Sequence, residues 1–562
     1  MIVGLDMGGT HIDGVIIKEG RVIQRVKKTT NREDLFTSIW TALEELLEGY
    51  DKTAIQRINL STTISTNAIV ENKTSSVGMI IQAGPGLAHD FLACGDENIF
   101  ISGYVDHRGK VVDHVNREEI EDAIQLFKDK DLEAYGIVSK FSTRNPNHEL
   151  AVKELLENET SGSITTGHTV SGKLNFPRRV FTTYLNAAIS ETFQNFANHI
   201  KKSLEKEGVN APLFILKADG GTMNIETAEK KPVETILSGP AASFSGMNGI
   251  LPTEEDAVLL DIGGTTTDIF FLADGIPLFE PLGIKIGQYN TLVRSVYSVS
   301  IGLGGDSEVQ VEDGKLKIGP RRAGYPMAFG GPKPTPTDAM IVLGLMDAGN
   351  EEKAKQAISS LADKLDLDLK ETAESILHQM AEMIQNKVED LLVEVNSQPV
   401  YTIEELLDGK IILPKRVHLI GGPAKVLAPI IEEKMNLSTY YPENYQVANA
   451  IGAALAKTTT EITMLADTGR GILSVPELGI YEEVPSNYDL EDAKEYALQL
   501  LKQSALEMGA DPENLELEII EENSFNMIDG FLTSGKNIRV KAQVKPGLIH
   551  TLKGDEEYES KE

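Results

Sequence analysis

Two stretches of the chain share one pattern of apolar and polar positions. Residues 2–17 and 258–272 each pass from an apolar run through Asp-x-Gly-Gly-Thr-x-x-Asp into a second apolar run. β-Branched and aromatic residues follow both glycine pairs, so each stretch predicts a strand, a tight turn and a second strand. A dinucleotide-binding turn would lead into a helix instead. The repeat predicts two related halves, with a pair of ordinary glycine hairpins as the alternative.

The turn residues are of the types that hold phosphate. Adjacent glycines can take conformations that bring backbone amides close to an anion, and threonine hydroxyls add donors. Asp6 and Asp261 end the first strand of each repeat, where a carboxylate suits a hydrated Mg²⁺ ion. The predicted phosphate donors are Gly8, Gly9, Thr10, Gly263, Gly264 and Thr265.

Outside the repeats, strand-like and helix-like segments alternate. Helical spacing of apolar residues predicts helices over 35–47 and 177–207 and a long helical region over 351–394. The segment 58–70 begins as a strand and enters a bend rich in Ser and Thr. The segment 319–337 is rich in Gly and Pro, which predicts an exposed loop.

The pattern of apolar and polar residues changes at about residue 460. Before that point, a strand over 417–420 leads through a Gly-Gly pair into a helix, and small residues predict a close-packed helix near 443–457. After it, a helix over 490–508 and later strand-like runs predict an α+β unit. The acidic final residues predict a disordered tail.

Composition and charge narrow the choice of partner. The chain has 562 residues, 41% hydrophobic and 25% charged, as in soluble globular proteins. Its formal net charge of −32 argues against nucleic acid and against anionic membranes. A nucleotide must therefore be held by local backbone donors and a metal. No apolar run is long enough to predict a membrane span, and the chain opens directly in a strand, so no signal peptide is expected.

The single cysteine, Cys94, excludes an intrachain disulfide. A reducing compartment, the cytoplasm, is therefore expected. A buried apolar role is favoured for Cys94 over that of a nucleophile.

Over roughly its first 455 residues the chain resembles the A subunit of the hydantoinase/oxoprolinase family, within the actin/sugar-kinase/Hsp70 ATPase superfamily. The likeness runs through motifs in the same order along the chain. They are the two Asp-x-Gly-Gly-Thr turns, residues 61–68 (Ser-Thr-Thr-Ile-Ser-Thr-Asn-Ala), Asp219-Gly220-Gly221, residues 232–241, residues 336–339 and residues 421–423.

The resemblance implies an α/β fold with two actin/Hsp70/sugar-kinase-like lobes of duplicated ribonuclease H-like topology. It implies a first ATPase lobe over 1–175 and a second over 176–460. The closing helix near 443–457 is expected to pack back on the first lobe. Residues 461–562 form the small α+β extension with its acidic tail.

The resemblance also implies roles for individual residues. Asp6 and Asp261 flank Mg²⁺, while Asp13 and Asp268 brace the turns or the metal's waters, which makes these four the catalytic candidates. Further glycines join the phosphate turns in binding ATP: Gly304, Gly305, Gly421 and Gly422. The weaker substrate candidates are Thr66, Asn67, Asp219, Glu234 and Asp338.

Three side chains near these motifs have simpler explanations. Asn67 can serve only to stabilise a bend, and Asp338 can serve only to favour the dipole of a helix that starts there. His11 is interpreted as a hairpin side chain rather than a base. The chain also departs from the family, with Leu60-Ser61 in place of His-Gly and Met-Ala-Phe-Gly at 327–330 in place of Pro-Ala-Cys-Tyr-Gly. Because of these departures, the sequence does not identify which ring the substrate contains.

The implied activity is ATP- and Mg²⁺-dependent hydrolysis of a cyclic amide of the hydantoin or 5-oxoproline type. ATP phosphorylates the carbonyl oxygen, and relatives activate ketones for carboxylation. In this family the ring-opening step belongs to a separate B-type subunit, so such a partner is expected, and a homo-oligomer is left open. The alternatives are a chaperone-like or activator ATPase of the same fold and a small-molecule kinase.

Overall fold

The first 250 residues alternate strands and helices, as the apolar periodicity predicts. The computed structural model describes residues 1–8, 11–30, 35–280, 282–397, 411–529, 532–553 and 557–559. The strands of this first part are β1 (Ile2–Met7), β2 (His11–Lys18), β3 (Arg21–Thr29), β4 (Arg57–Thr62), β5 (Val77–Gln82), β6 (Glu97–Phe100), β7 (Tyr104–Val105), β8 (Val111–Asp113), β9 (Ala134–Ser139), β10 (Ser163–Thr166), β11 (Leu213–Leu216) and β12 (Thr222–Asn224). Its helices are α1 (Leu35–Leu47), α2 (Ile64–Val70), α3 (Arg117–Asp129), α4 (Asn147–Glu159), α5 (Gly167–Val170), α6 (Phe176–Lys206), α7 (Ile225–Lys230) and α8 (Ser238–Ile250).

The second part contains the second glycine hairpin and most of the later helices. Its strands are β13 (Ala257–Ile262), β14 (Thr267–Ala273), β15 (Ile276–Pro277), β16 (Lys285–Ile286), β17 (Tyr289–Asn290), β18 (Val299–Ile301), β19 (Val309–Glu312), β20 (Lys315–Ile318), β21 (Arg416–Ile420) and β22 (Ser438–Pro442). Its helices are α9 (Pro336–Val342), α10 (Glu351–Leu365), α11 (Leu369–Asn396), α12 (Ala424–Met435) and α13 (Ala448–Leu455).

The C-terminal unit is an antiparallel sheet covered by one long helix. Its elements are β23 (Glu461–Asp467), β24 (Ile472–Val475), β25 (Ile480–Glu483), α14 (Leu490–Glu507), β26 (Leu517–Asp529) and β27 (Leu532–Val544), followed by β28 (Glu557–Glu559). The sheet order is β25-β24-β23-β27-β26, and apolar residues of α14 pack on its inner face. Arg108 ties the unit to the first part through an ion pair of 2.7 Å with Asp467.

Two sheets with the same strand order form the two halves of the molecule. The first is β12-β11-β4-β1-β2-β3, and the second contains β15-β14-β13-β21-β22 with β28 at its edge. In both, three antiparallel strands from a meander are continued by two parallel strands. This is a duplicated ribonuclease H-like topology, so the predicted two-lobed α/β fold is confirmed.

A pair of small-residue helices, α8 and α13, packs between the halves. A Cβ added to Gly452 would lie 2.0 Å from the carbonyl oxygen of Ala242, and one added to Gly246 would lie 2.0 Å from that of Ala448. Only glycine lets the two backbones come so close. On its other side α13 contacts the first sheet, where the Asn59 amide donates to the Ala453 carbonyl at 2.7 Å.

The long helix α6 begins at a cap that the sequence contains. The Asn175 side chain accepts from the Arg178 amide, and Pro177 occupies the first turn, where a missing N–H costs nothing. The helix packs along the four-stranded parallel sheet β10-β9-β5-β6 through residues such as Val180 and Ala187.

Three element predictions are wrong in detail. The helical region over 351–394 breaks at Asp366, which takes a left-handed conformation with φ of 55°, and Asp368 then caps α11. The Ser/Thr-rich bend after β4 is a helix, α2. In the tail predicted to be disordered, β28 pairs with β22, while 554–556 and 560–562 lie outside the described residues.

Candidate functional site

The two glycine hairpins are built alike down to individual hydrogen bonds. Asp6 pairs with Asp13 in the first hairpin, and Asp261 pairs with Asp268 in the second. The first turn is closed by the Gly8 amide donating to the His11 carbonyl at 2.9 Å, and the second by Gly263 donating to Thr266 at 2.9 Å. Each carboxylate pair therefore stands at the same position relative to its turn.

Asp6 and Asp261 come together from opposite halves. Burial is the largest cause that raises the pKa of Asp6 to about 7, and the charges of Asp13 and Asp261 raise it further. Burial also raises the pKa of Asp261, whose Oδ2 accepts from the Ser243 hydroxyl at 2.6 Å. The buried Asp6 and the half-buried Asp261, from separate hairpins, thus share one electrostatic environment.

Asn449 on α13 links these two aspartates, and sequence reasoning missed it. After burial, which raises both pKa values, hydrogen bonding to the Asn449 side chain lowers the pKa of Asp6 and of Asp261. The available signal was that Asn449 is the one polar residue in the helix Ala-Asn-Ala-Ile-Gly-Ala-Ala-Leu.

Asp13 is paired with a lysine that the sequence analysis also missed. The Lys27 ammonium lies 2.8 Å from Asp13, its partner in the β2–β3 register. It also donates to the Gln446 carbonyl of the second half at 3.2 Å. Burial raises the pKa of Asp13, and Lys27 opposes that shift.

Asp268 occupies the equivalent position in the second hairpin, and no lysine of the described residues forms an ion pair with it. Burial, followed by the charge of Asp261, raises its pKa to about 6, while a hydrogen bond from Ser300 lowers it. The two halves therefore differ at their second aspartate, with one carboxylate neutralised by a cation and the other held by a hydroxyl.

Gly304 and Gly305 lie directly against the second glycine turn. The Gly305 amide donates to the Gly263 carbonyl at 2.9 Å, and the next amide, of Asp306, donates to Gly264 at 2.7 Å. A Cβ on Gly304 would lie 2.5 Å from the Gly264 oxygen. The structure thus places these glycines as a support that fixes the turn.

Charged residues beside the second glycine turn influence His11 of the first hairpin. Burial is the main cause that lowers the pKa of His11, and Lys27 and Arg322 lower it too, while Asp306 acts in the opposite direction. Asp306 forms an ion pair of 2.8 Å with Arg322, from the Gly/Pro-rich loop. His11 of the first turn therefore lies within electrostatic reach of residues that flank the second.

The Gly421-Gly422 pair lies beside Asp261, as its position after β21 requires. Gly421 has φ of +92°, and a Cβ there would lie 2.2 Å from the Ile262 oxygen and 2.9 Å from Asp261 Oδ1. A Cβ on Gly422 would meet nothing within 4 Å. The first glycine allows close packing, and the second borders open space. Thr265 and Gly264 are exposed beside them, whereas Gly9 and Thr10 lie outside the described residues.

The threonines of the 61–68 motif surround the first turn. The Thr63 hydroxyl donates to the Met7 carbonyl at 3.3 Å, and Asn67 donates to Thr63 at 3.2 Å. The Thr66 hydroxyl accepts from the Leu237 amide at 3.1 Å, just before α8. Thr66 and Asn67 thus lie near the first glycine turn, and each forms a hydrogen bond to another residue of the chain.

Asp338 has a structural partner for both carboxylate oxygens. It forms a capping box with Thr335 at the start of α9 and accepts from the backbone amides of Met327 and Ala328 at 3.1 and 2.8 Å. This arrangement holds the loop 326–335 against the helix, which agrees with the simpler explanation of that residue.

Asp219 and Glu234 flank the buried ammonium of Lys217, at 3.2 and 3.6 Å, and line a cavity of about 480 Å³. Burial works to lower the pKa of Lys217, but the Asp219 and Glu234 charges raise it above its usual value. Their role as substrate residues of the phosphate site stays a prediction.

The donor set around Asp6 and Asp261 fits Mg²⁺. This ion takes one or two carboxylates and keeps water and phosphate oxygens as its other ligands. Across the part of the chain that the structure describes, no cluster of three or more His, Cys, Asp or Glu is arranged to hold a metal by itself.

Two further sequence expectations concern Cys94 and the membrane. Cys94 is buried, and burial raises the pKa of its thiol to about 12, as for a packing residue rather than a nucleophile. Within the described ranges, no helix has the length and apolar character to cross a bilayer.

Comparison with known proteins places these features in a family. The hydantoinase/oxoprolinase model matches residues 179–462, and the model of the hydantoinase/oxoprolinase N-terminal region matches residues 2–160. Caprolactamase subunit alpha of Pseudomonas jessenii is 26% identical over 66% of this chain and 60% of its own length. The acetophenone carboxylase gamma subunit of Aromatoleum aromaticum is 24% identical over 66% of this chain and 58% of its own. The chain therefore spans about three-fifths of these two relatives.

A solved structure shares the fold over nearly the whole chain. The ATP-dependent caprolactamase of Pseudomonas jessenii superposes with a TM-score of 0.71 and 19% identity, covering 96% of this chain and 87% of the other. This likeness shows the fold, and the two matched family models lead to one conclusion. The chain belongs to the hydantoinase/oxoprolinase family.

Proposed function

We propose that this chain activates a small cyclic amide by moving the γ-phosphoryl group of ATP to the amide carbonyl oxygen. An amide carbonyl is a poor electrophile, and phosphorylation of its oxygen gives an imidate phosphate that water can attack. The observation that carries the proposal is the meeting of Asp6 and Asp261 between two matching glycine turns. Membership of a family whose model is named for hydantoinase and oxoprolinase supports it.

The proposed chemistry asks the protein mainly to position groups and neutralise charge. Asp6 and Asp261 would hold Mg²⁺, which neutralises phosphate charge when bound. The exposed second turn, with Gly264 and Thr265, offers backbone and hydroxyl donors to phosphate oxygens. Ser243 fixes the orientation of Asp261 through its hydrogen bond of 2.6 Å.

Lys27 gives the two halves different charge beside their turns. The ion pair with Lys27 neutralises the Asp13 carboxylate. The groups that influence the pKa of Asp268 are instead the Asp261 carboxylate and the Ser300 hydroxyl. We assign Asp13 and Lys27 to closing the phosphate site, because Lys27 also binds the Gln446 carbonyl of the other half.

A partner subunit belongs to this proposal. Two relatives carry names that mark them as subunits, alpha in the caprolactamase and gamma in the acetophenone carboxylase. In the mechanism proposed here, this chain forms the activated ring and a B-type subunit completes its opening.

The test is phosphate release from ATP by the chain alone and with a B-type subunit from the same genome. The substrates are hydantoin, 5-oxoproline and six- and seven-membered lactams, with ring-opened product measured by mass spectrometry. We expect one ring class to stimulate hydrolysis and to yield an open-chain product only with the partner. Hydrolysis that no cyclic amide stimulates would refute the proposal, and a stable phosphorylated metabolite would indicate a kinase.

Activation of a ketone is the second candidate. It uses the same transfer to a carbonyl oxygen, and the acetophenone carboxylase gamma subunit is nearly as similar to this chain as the caprolactamase subunit. Adding small ketones with bicarbonate to the same assay separates the two, because only this activity would fix labelled bicarbonate into a carboxylate.

A further inference from the structure

A cavity of about 480 Å³ opens between the first half of the molecule and the C-terminal unit. Its walls come from α7 and the segment after it, from Leu292–Arg294, and from β23, α14 and the turn after β24. Neither Asp6 nor Asp261 lines it. The volume is that of a small-molecule site, and the site is distinct from the phosphate turns.

The wall formed by the end of α7 is basic. Lys230 and Lys231 both line the cavity, and within the described ranges no carboxylate lies within the 4.0 Å ion-pair distance of either ammonium. Lys231 is partly buried, so its charge is directed at the cavity without a fixed partner.

The part of the wall after β24 contains Glu477, a carboxylate without a cation partner among the described residues. Glu477 accepts hydrogen bonds from the Gly172 and Thr463 amides at 3.1 and 3.2 Å. No lysine or arginine of the described chain lies within 4.0 Å of it. Burial raises the pKa of Glu477, and the charge of Lys231 works against that shift. Lys231 and Glu477 therefore interact across the cavity without touching.

Most of the remaining charged groups of the cavity already have partners, while Lys230 and Glu507, which have no ion-pair partner among the described residues, are exposed. Glu461 binds Lys541 at 2.8 Å and Arg294 at 3.4 Å, and Lys217 binds Asp219. These pairs form fixed polar walls. The gap between Lys231 and Glu477 is the place where a ligand can complete two charge-assisted hydrogen bonds, which are stronger than neutral ones.

We infer that this cavity binds a small zwitterion, an aliphatic molecule whose carboxylate meets Lys231 and whose ammonium meets Glu477. Opening of a cyclic amide ring produces this class of molecule, with one amine and one carboxylate. If the proposed function holds, the cavity is a product site; that identification alone rests on the proposed function. The binding itself depends only on the two facing charges.

The experiment is isothermal titration calorimetry of the full chain without nucleotide. The probes are unbranched ω-amino carboxylates of four to six carbons, with alkylamines and alkanoates of equal length. We expect saturable binding of at least one zwitterion and at least tenfold weaker binding of its single-charge analogues. Lys231→Met and Glu477→Gln should each weaken binding roughly ten- to hundredfold, as expected for loss of one hydrogen bond to a charged group.

Two controls fix the location. Lys202→Met removes an exposed lysine of α6 and should leave affinity unchanged, and Asp261→Ala should also retain binding because the phosphate site is separate. Absence of saturable binding by every zwitterion overturns the inference, as does binding that survives Lys231→Met but is lost in Asp261→Ala. If Glu477→Gln loses its circular dichroism spectrum, Lys231→Met decides alone. Failure of the proposed function would appear as ATP hydrolysis without ring stimulation and would leave these titrations unchanged.

Discussion

Replacing Asp6 by asparagine should stabilise the protein while it abolishes activity. Burial, the largest cause, raises the pKa of Asp6 from 3.8 to about 7. One pKa unit corresponds to about 1.4 kcal/mol, so the ionised carboxylate costs the folded state about 4 kcal/mol at pH 8. Because the folded pKa is raised, stability is highest while Asp6 is protonated and is lost as pH rises towards 7.

The pH dependence makes this prediction specific. Between pH 6 and pH 8 the folded state loses the last part of its protonated Asp6, which corresponds to about 1 kcal/mol. Asp6→Asn should therefore be more stable than the wild type at both values, with a gain about 1 kcal/mol larger at pH 8. Asparagine has almost the same shape as aspartate, so the shape of the site is kept.

The assay is urea unfolding at pH 6 and pH 8, followed by circular dichroism and compared as midpoints. Asp347→Asn, which changes an exposed carboxylate, is the matched control and should move neither midpoint. If the variant is no more stable than the wild type at pH 8, or gains the same stability at both pH values, the raised pKa of Asp6 is refuted. The same preparation should show no ATP hydrolysis above background.

Three further predictions test the rest of the site. Asp261→Ala should abolish ATP turnover while the circular dichroism spectrum stays native, and wild-type turnover would mean that the second turn is only a hairpin. Asn449→Ala removes the hydrogen bond that lowers the pKa of both aspartates, so the acid limb of the pH–rate profile should move to higher pH; an unmoved limb contradicts the role given to Asn449. Gly452→Ala places a Cβ 2.0 Å from the Ala242 oxygen and should lower the free energy of unfolding by about 1–3 kcal/mol, measured against Gly239→Ala at the start of α8, whose added Cβ meets nothing within 4 Å.

The parts of the fold that sequence predicted are those with local causes. The strands on either side of Gly8 and Gly263 follow from alternating apolar runs around a turn, and α1 matches its predicted range of 35–47. The break at Asp366 was missed although the signal was local, since Asp368 and Glu371 form the capping box that starts α11. The helix α2 was missed because Ser and Thr favour bends, and packing against α6 overrides that preference.

The parts of the site that sequence missed depend on contacts between distant residues. Lys27 and Gln446 meet only after both halves have folded, and Asn449 approaches Asp6 only because α13 crosses to the first sheet. No pattern within a single sequence marks such pairs. The contact of Asp219 and Glu234 with Lys217 could not be predicted either, because it forms only when β11 and the segment after α7 come together, and their role as substrate residues stays a prediction.

The contact between α8 and α13 has a consequence for how the two halves can move. At Gly246 and Gly452 the helix backbones touch with no side chain between them, so the pair cannot slide without collision. Asn449 lies three residues before Gly452 on the same helix. The close contact that fixes α13 against α8 therefore also fixes the side chain that links Asp6 and Asp261.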